Sequence, residues 1–175
     1  MWNSLEIAKL ALQGAALIVA GFGLRQFNVA VAAYRDLHDW NRRKAAQDAV
    51  DRYKDIQDDN LVLHTHFNVM ESAAELELRQ VEALCSQDPL IRKAVHRRLN
   101  YFEALATGCK QGVYDEDVIR IALESLFRRS LGQFRAYIVH RRNVGAKDLW
   151  IEFEALSNRW SNGVSPARKR LGTSV

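Results

Sequence analysis

The sequence has 175 residues, 26% of them charged, and a net charge of +4. It contains no P-loop, dinucleotide-binding glycine pattern, zinc-cluster spacing or nucleophile elbow, which excludes the common enzymes that carry those motifs. The two cysteines, Cys85 and Cys109, lack CxxC or paired spacing, which excludes a disulfide-stapled scaffold and indicates reduced thiols in the cytosol. We therefore expect a chain that is not an enzyme and uses no metal or cofactor.

The first predicted element is a transmembrane helix over residues 1–27. Fifteen residues without a charge, Leu10 to Leu24, lie between Lys9 and Arg25. At about 1.5 Å per residue they cover roughly 22 Å, less than the roughly 30 Å of a bilayer core. A helix a few residues longer at each end spans the core if Lys9 and Arg25 reach the two headgroup layers. A buried helix of a soluble protein and a signal sequence are the alternatives.

The charges around this segment predict its orientation. Cytoplasmic flanks of membrane spans are rich in Lys and Arg. Only Lys9 and the amino terminus precede or enter the span, so we expect the N-terminus outside and the remaining chain in the cytoplasm, at the inner membrane. The basic residues that follow the span are Arg25, Arg35, Arg42, Arg43 and Lys44.

Small and polar residues follow one face of the predicted span. Side chains three and four residues apart share a helix face. Small residues gain little from lipid, but against another helix they allow close backbone approach and shared hydrogen bonds. We therefore predict that this stripe packs between copies of the chain or lines a pore, in a tetramer to octamer. The alternative is that Ala and Gly are simply common in membrane spans. The stripe consists of Lys9, Gln13, Ala16, Ala20 and Gly23.

The remaining chain is predicted to be all-α, with a cytoplasmic helical domain over residues 28–162 and a flexible basic tail over 163–175. No alternating apolar and polar run reaches strand length. Asp88, which precedes Pro89, and Asp115 are predicted helix N-caps. Residues 58–60 (Asp-Asp-Asn) and Gly108 are predicted to end helices. The predicted helices cover about residues 27–58, 61–85, 89–107, 115–142 and 146–161.

The fourth of these body helices is strongly basic. Between Arg120 and Arg142 it has six arginines and one acid, Glu124. Guanidinium groups match phosphate geometry and stay charged, so this helix is a candidate surface for single-stranded nucleic acid. Two alternatives are ion pairs with acids of neighbouring helices, such as those at 71, 75 and 77, and contact with anionic lipid headgroups. The predicted nucleic-acid-binding residues are Arg128, Arg135, His140, Arg141 and Arg142.

Two histidine patterns suggest chemistry but fit it poorly. His64 and His66 are two residues apart, so on a helix their rings point in nearly opposite directions and do not form a metal pair. Arg135 and His140 have the spacing of the ribonuclease motif of higher-eukaryote-and-prokaryote nucleotide-binding domains. That motif usually has a polar residue after the arginine, and here Ala136 takes the place.

Two stretches of the body carry recognisable motifs. One reads NYFEALA over residues 100–106 and runs on to GVYD at 112–115, and the other reads DLWIEFEAL over 148–156 and precedes Trp160. They resemble the central and closing signatures of a bacterial family catalogued only as a domain of unknown function. Members of that family have one N-terminal span and a cytoplasmic helical body. The apolar residues of the second motif share one helical face, which indicates packing.

The combination of a short span and a basic helical body of this length is also similar to two kinds of antiphage membrane effector. One is the octameric pore-forming accessory protein of type VI-B CRISPR systems, and the other is the tetrameric Hailong channel, which single-stranded DNA holds shut. The similarity implies a homo-oligomeric pore or ion channel in antiphage defence, with membrane lipid, nucleic acid and a defence-system enzyme as partners. The alternatives are a non-conducting membrane-anchored adaptor for a partner protein and a membrane-anchored ribonuclease.

Overall fold

Helices account for the regular structure of the chain. The computed structural model describes residues 4–163, with side chains from residue 21 onward, and within that part all regular elements are helical. This confirms the predicted all-α class. The α-helices are α1 (Ser4–Asp51), α2 (Gln57–Phe67), α3 (Leu78–Gln87), α4 (Pro89–Lys110), α5 (Glu116–Val144) and α6 (Ile151–Ser161), and a 3-10 helix, Arg52–Ile56, joins α1 to α2.

The chain divides into two compact units, Met1–Asn41 and Arg42–Val175. The first contains most of α1, and the second contains the end of α1 with the other helices. Among the described residues, no helix has the length and apolar character needed to cross a bilayer. Most of the predicted span precedes residue 21 and so lies outside the described side chains. The predicted tail also lies outside the described part, apart from Gly163.

Both predicted N-caps are confirmed. The Asp88 carboxylate accepts a hydrogen bond from the backbone N–H of Leu90 at 2.7 Å, and Pro89 occupies the first position of α4. The Asp115 carboxylate accepts from the N–H of Asp117 at 3.1 Å at the start of α5. A carboxylate at each position satisfies an N–H group that has no partner within the helix.

Two predictions around residues 58–85 are wrong. Residues 58–60 do not end a helix, because Asp58 and Asp59 lie in the first turn of α2, where carboxylates are favourable near the helix N-terminus. The predicted helix over 61–85 is interrupted after Phe67. Asn68 ends α2 in the left-handed conformation with φ 52°, and α3 begins only at Leu78.

The segment between α2 and α3 is held by a buried glutamine of α5. The Gln133 amide donates to the carbonyl oxygens of Val69 at 2.9 Å and Ser72 at 2.6 Å. Its own backbone carbonyl accepts from the N–H of Leu76 at 2.9 Å. These hydrogen bonds pair backbone carbonyl and N–H groups of a segment that is not part of a helix.

Gly108 does not end a helix, contrary to the prediction, and α4 continues to Lys110. A Cβ atom built on Gly108 would lie 2.3 Å from two ring carbons of Tyr114. The glycine is therefore needed for close approach of the Tyr114 ring to the helix rather than for a helix end.

The last helix begins later than the prediction of 146–161, at Ile151. Trp150 precedes it in the left-handed conformation with φ 55°, which is unfavourable for a residue with a side chain. The Trp150 ring is buried, and its indole N–H donates to Asn100 Oδ1 at 2.8 Å. A carboxylate of α4 completes the start of α6, since Glu103 accepts from the N–H of Phe153 at 2.7 Å.

Aromatic residues of the two sequence motifs meet in the core. Phe102 of the first motif stacks on Phe153 of the second, with ring centroids 5.3 Å apart. Phe127 of α5 lies against both rings, at 4.8 and 5.3 Å, and Trp160 lies 4.8 Å from Phe127. All four side chains are buried, and the predicted packing role of the second motif is confirmed for Phe153.

A charged side chain also lies in this core. Arg98 of α4 is 2% exposed, and its guanidinium donates to Asn60 Oδ1 at 2.6 Å and to Ser130 Oγ at 2.8 Å. Burial lowers the pKa of Arg98. The hydrogen bonds join α2, α4 and α5 and offset part of the cost of removing the charge from water.

Candidate functional site

The basic helix α5 does not present its arginines as one surface. Arg128 and Arg135 are exposed, and among the described residues Arg128 forms an ion pair with Glu124 alone, at 3.9 Å. No described residue forms a hydrogen bond or ion pair with Arg135. We call Arg128 and Arg135 the arginine face. Neither residue pairs with the acids of residues 71–77 that the sequence offered as partners.

Arg142 is instead part of the folded framework. Its Nε donates to the carbonyl oxygen of Leu149 at 2.7 Å and its Nη2 to that of Trp150 at 3.0 Å. Its Nη1 pairs with the Glu154 carboxylate. Only 18% of the side chain is exposed, so Arg142 fastens the connection between α5 and α6 and has few donors left for a ligand.

His140 and Arg135 are directed to different surroundings. His140 Nε2 lies 2.6 Å from a carboxylate oxygen of Glu82 on α3, whereas Arg135 is exposed. Residues five apart on a helix are separated by about 140° around its axis. The two side chains of the ribonuclease pattern therefore do not converge on one phosphodiester within a single chain.

Arg141 lines a small polar pocket between α3, α4 and α5. The pocket volume is about 110 Å³. Arg141 Nε is buried and has no hydrogen-bond partner among the described residues. A buried donor without a partner costs about 1–3 kcal/mol. The side chains around the pocket therefore leave the Arg141 Nε–H group without a hydrogen bond. We call this site the polar pocket; it is lined by Glu82, Cys85, Ser86, Arg92, Tyr137 and Arg141.

The lining of the polar pocket carries charged groups and buried neutral groups. Burial raises the pKa of Cys85 above its ordinary value and that of Tyr137 to about 12, so both groups are protonated at neutral pH. His96 Nε2 lies 3.0 Å from the Tyr137 hydroxyl. Burial, and then the nearby charges of Arg141 and Arg92, lower the pKa of His96. The pocket therefore combines two guanidinium groups and one carboxylate, that of Glu82, with neutral hydrogen-bonding groups.

The lowered pKa of His96 predicts a loss of stability in acid. The unfolded chain takes up the His96 proton near the ordinary pKa of 6.5, at higher pH than the folded chain does. The contribution of His96 to the free energy of unfolding is thus full above about pH 6.5 and falls as the pH drops below it. We expect urea unfolding at pH 7.5 and 5.5 to show a smaller acid loss in His96→Gln than in the parent. Equal losses would contradict this assignment.

Sequence reasoning found Arg141 but missed the rest of the polar pocket. The available signal was the spacing of Arg92 and His96 on α4, and of Tyr137 and Arg141 on α5, since each pair is four residues apart on one helix face. The sequence did not show that these faces meet. In the part of the chain that the structure describes, no three His, Cys, Asp or Glu side chains are grouped to hold a metal ion.

The second candidate surface lies on α1. From residue 21 to 41 every side chain is exposed except those of Val31 and Asp39, which are half-buried. Seven large apolar side chains in this segment are each at least 57% exposed. A concentration of exposed apolar side chains is typical of contact with another protein or a membrane. The seven are Phe22, Leu24, Phe27, Val29, Tyr34, Leu37 and Trp40. Gly23 is also exposed, whereas Lys9, Gln13, Ala16 and Ala20 of the predicted stripe lie outside the described side chains.

The comparisons with known proteins identify a family. A family model described as "Domain of unknown function (DUF4760)" matches residues 10–160. No curated protein matches the chain, and no solved structure does. Because the family model covers most of the sequence, the chain belongs to the DUF4760 family.

Proposed function

We propose that this chain is the subunit of a homo-oligomeric membrane pore. In this proposal residues 1–27 cross the inner membrane with the N-terminus outside, and the helical body lies in the cytoplasm. The observation that carries the proposal is the exposed apolar surface of α1 between residues 21 and 41. Lipid covers the part within the span, but the exposed apolar side chains of α1 between residues 28 and 41 need another partner.

Copies of the same helix are the partner that the spacing favours. The stripe predicted in the span has four-three spacing up to Gly23, and the same spacing continues through Phe27, Ala30, Tyr34 and Leu37. A repeat of this kind is the seam along which helices associate in coiled coils. All four residues are exposed, so the seam is open to a second copy. We call these four residues the α1 seam.

The pore follows from this assembly. Helices joined along the α1 seam bring their spans together, with Gln13, Ala16 and Ala20 facing inward. Lys9, at the N-terminal end of the same stripe, then favours anions in the lumen. Purified full-length chain in planar bilayers is expected to conduct, and Gln13→Leu is expected to change the conductance. A chain that stays monomeric in mild detergent and never conducts would refute the proposal.

A pair of substitutions tests the α1 seam. Leu37→Glu places a charge on the seam in each subunit. In detergent, the protein is then expected to shift from an oligomer, predicted to be a tetramer to octamer, toward the monomer, as measured by mass photometry. Val29→Glu is the matched control, because Val29 is 63% exposed but lies outside the seam, about 120° around the helix from it. Equal loss of the oligomer in both variants, or in neither, would argue against the seam.

The regulator in this proposal is single-stranded nucleic acid bound on the arginine face. The support is that Arg128 and Arg135 are exposed, basic and only weakly paired. Arg142 and His140 have folded partners and are left out of this surface. The proposed role in antiphage defence, with a defence-system enzyme as partner, depends on the architectural similarity to the Hailong and type VI-B effectors. It is tested by plating phage on cells that express the chain, with a voltage-sensitive dye to report depolarisation.

Nucleic-acid binding has its own test. The double variant Arg128→Gln and Arg135→Gln is expected to weaken binding of a fluorescent oligothymidylate. It should also reduce the slope of log affinity against log salt by about 0.7 for each lost phosphate contact. Lys147→Gln, an exposed basic residue outside α5, is the control for overall charge. An unchanged salt slope in the double variant would exclude the arginine face as the binding surface.

A further inference from the structure

The polar pocket has the features of an anion site that the pore proposal does not use. Arg92 enters it from α4 and Arg141 from α5, so two guanidinium groups on different helices share one small volume. The carboxylate that lines the pocket, that of Glu82, lies 2.6 Å from His140 Nε2. The two guanidinium groups outnumber this single carboxylate, so the interior of the pocket has a net positive charge.

Arg141 identifies where the anion binds. Its Nε is buried without a hydrogen-bond partner among the described residues, although buried polar groups are almost always paired in folded proteins. A guanidinium edge pairs best with two oxygens of a phosphate or carboxylate. The Tyr137 hydroxyl is a further hydrogen-bonding group on the same wall, because Tyr137 precedes Arg141 by one helical turn.

The size of the pocket limits the ligand. Its volume of about 110 Å³ corresponds to about four water molecules in the liquid. That is room for one tetrahedral anion but not for a nucleobase or a phosphodiester chain running through. Ser86 and Arg92 at the edge are exposed, so the remainder of a larger ligand extends into solvent.

We propose that the polar pocket binds the terminal phosphate of a phosphate monoester, carried either by a free nucleotide or by the 5′ end of a nucleic-acid strand. A terminal phosphate presents three oxygens, enough for Arg92, Arg141 and the Tyr137 hydroxyl together, whereas a diester presents two. This inference goes beyond the proposed pore, since it concerns the body alone and holds whether or not the chain conducts.

The test uses the full-length chain in detergent and phosphate-free buffer, with binding measured by isothermal titration calorimetry. Adenosine 5′-monophosphate is expected to bind and adenosine is not. Arg141→Gln and Arg92→Gln are each expected to weaken binding about tenfold or more, because each removes a charge-assisted pair. Lys147→Gln, an exposed basic residue outside the pocket, is expected to bind the nucleotide as the parent does.

Three probes separate the possible sources of the phosphate. Inorganic phosphate measures the anion site itself, adenosine 5′-monophosphate the free nucleotide, and a short DNA strand with or without a 5′-phosphate the nucleic-acid end. Equal binding of adenosine and its monophosphate would overturn the proposal. So would monophosphate binding that neither variant weakens. Arg92 is exposed, so Arg92→Gln keeps the test decisive even if Arg141→Gln does not fold. None of these measurements depends on conductance.

Discussion

Phe153→Ala is expected to lower the free energy of unfolding by about 3–5 kcal/mol, since it empties a fully buried aromatic site. Phe153 has 0% exposure and contacts Phe102 and Phe127 at ring-centroid distances of 5.3 Å each. Small domains are stable by only about 5–15 kcal/mol, so the loss is a large share of the total. Urea unfolding of the full chain in detergent, followed by far-UV circular dichroism, measures it.

The control for this prediction is Ile151→Ala in the same helix. Ile151 is 47% exposed, so its replacement leaves no comparable cavity and is expected to cost less than about 1 kcal/mol. If the two variants lost similar stability, the aromatic cluster would not be the main link between α4, α5 and α6.

Gly108→Ala is expected to destabilise the chain by about 1–3 kcal/mol, although alanine is normally the better helix residue. The added methyl group would lie 2.3 Å from two carbons of the Tyr114 ring, so the ring or the helix must move. The same unfolding measurement applies. Gly132→Ala in α5 is the matched control, since nothing lies within 4 Å of a Cβ there. That control is expected to gain up to about 1 kcal/mol.

A double substitution separates the steric cause from a general effect of Gly108. In a Tyr114→Ala background the clash is absent, and Gly108→Ala is then expected to be neutral or stabilising. The difference between the two backgrounds is the interaction energy of the pair. A loss of the same size in both backgrounds would show that Tyr114 is not the reason for the glycine.

Local chemistry predicted the helices wherever a cap determines the boundary. Asp88 with Pro89, and Asp115, mark helix starts because a carboxylate and a proline act within one turn of chain. The prediction that Gly108 ends a helix is wrong because local sequence alone does not define the role of a glycine. A glycine favours both helix ends and close packing, and only the position of Tyr114 distinguishes the two.

Boundaries set by distant residues were not predictable in this way. Residues 71–77 (ESAAELE) favour helix by composition. Gln133, more than 50 residues away, forms hydrogen bonds that keep this segment in a non-helical conformation. Arg98 is similar, because nothing in its local sequence distinguishes a buried arginine from an exposed one. Its partner Asn60 lies 38 residues earlier in the chain.

The candidate site was predictable only in part. The excess of arginine on α5 was visible, and Arg128 and Arg135 remain available for an anion. Arg142 follows Arg135 by seven residues, as Arg135 follows Arg128, but the partners of Arg142 at the start of α6 come from a turn that sequence periodicity does not define. The polar pocket needed the relative positions of three helices, which no single stretch of sequence contains.

The two native cysteines make this chain convenient for mapping α1 by site-directed labelling. Cys85 and Cys109 are 5% and 8% exposed, and burial raises the pKa of both thiols, that of Cys109 to about 12. Maleimides and spin labels react with thiolates, so both should be silent under mild conditions. Single cysteines introduced along residues 5–40 are then expected to report their own solvent access without prior removal of the natural thiols. Reactivity that is lost throughout the span, and lost periodically at the α1 seam beyond it, would trace the assembled helix position by position.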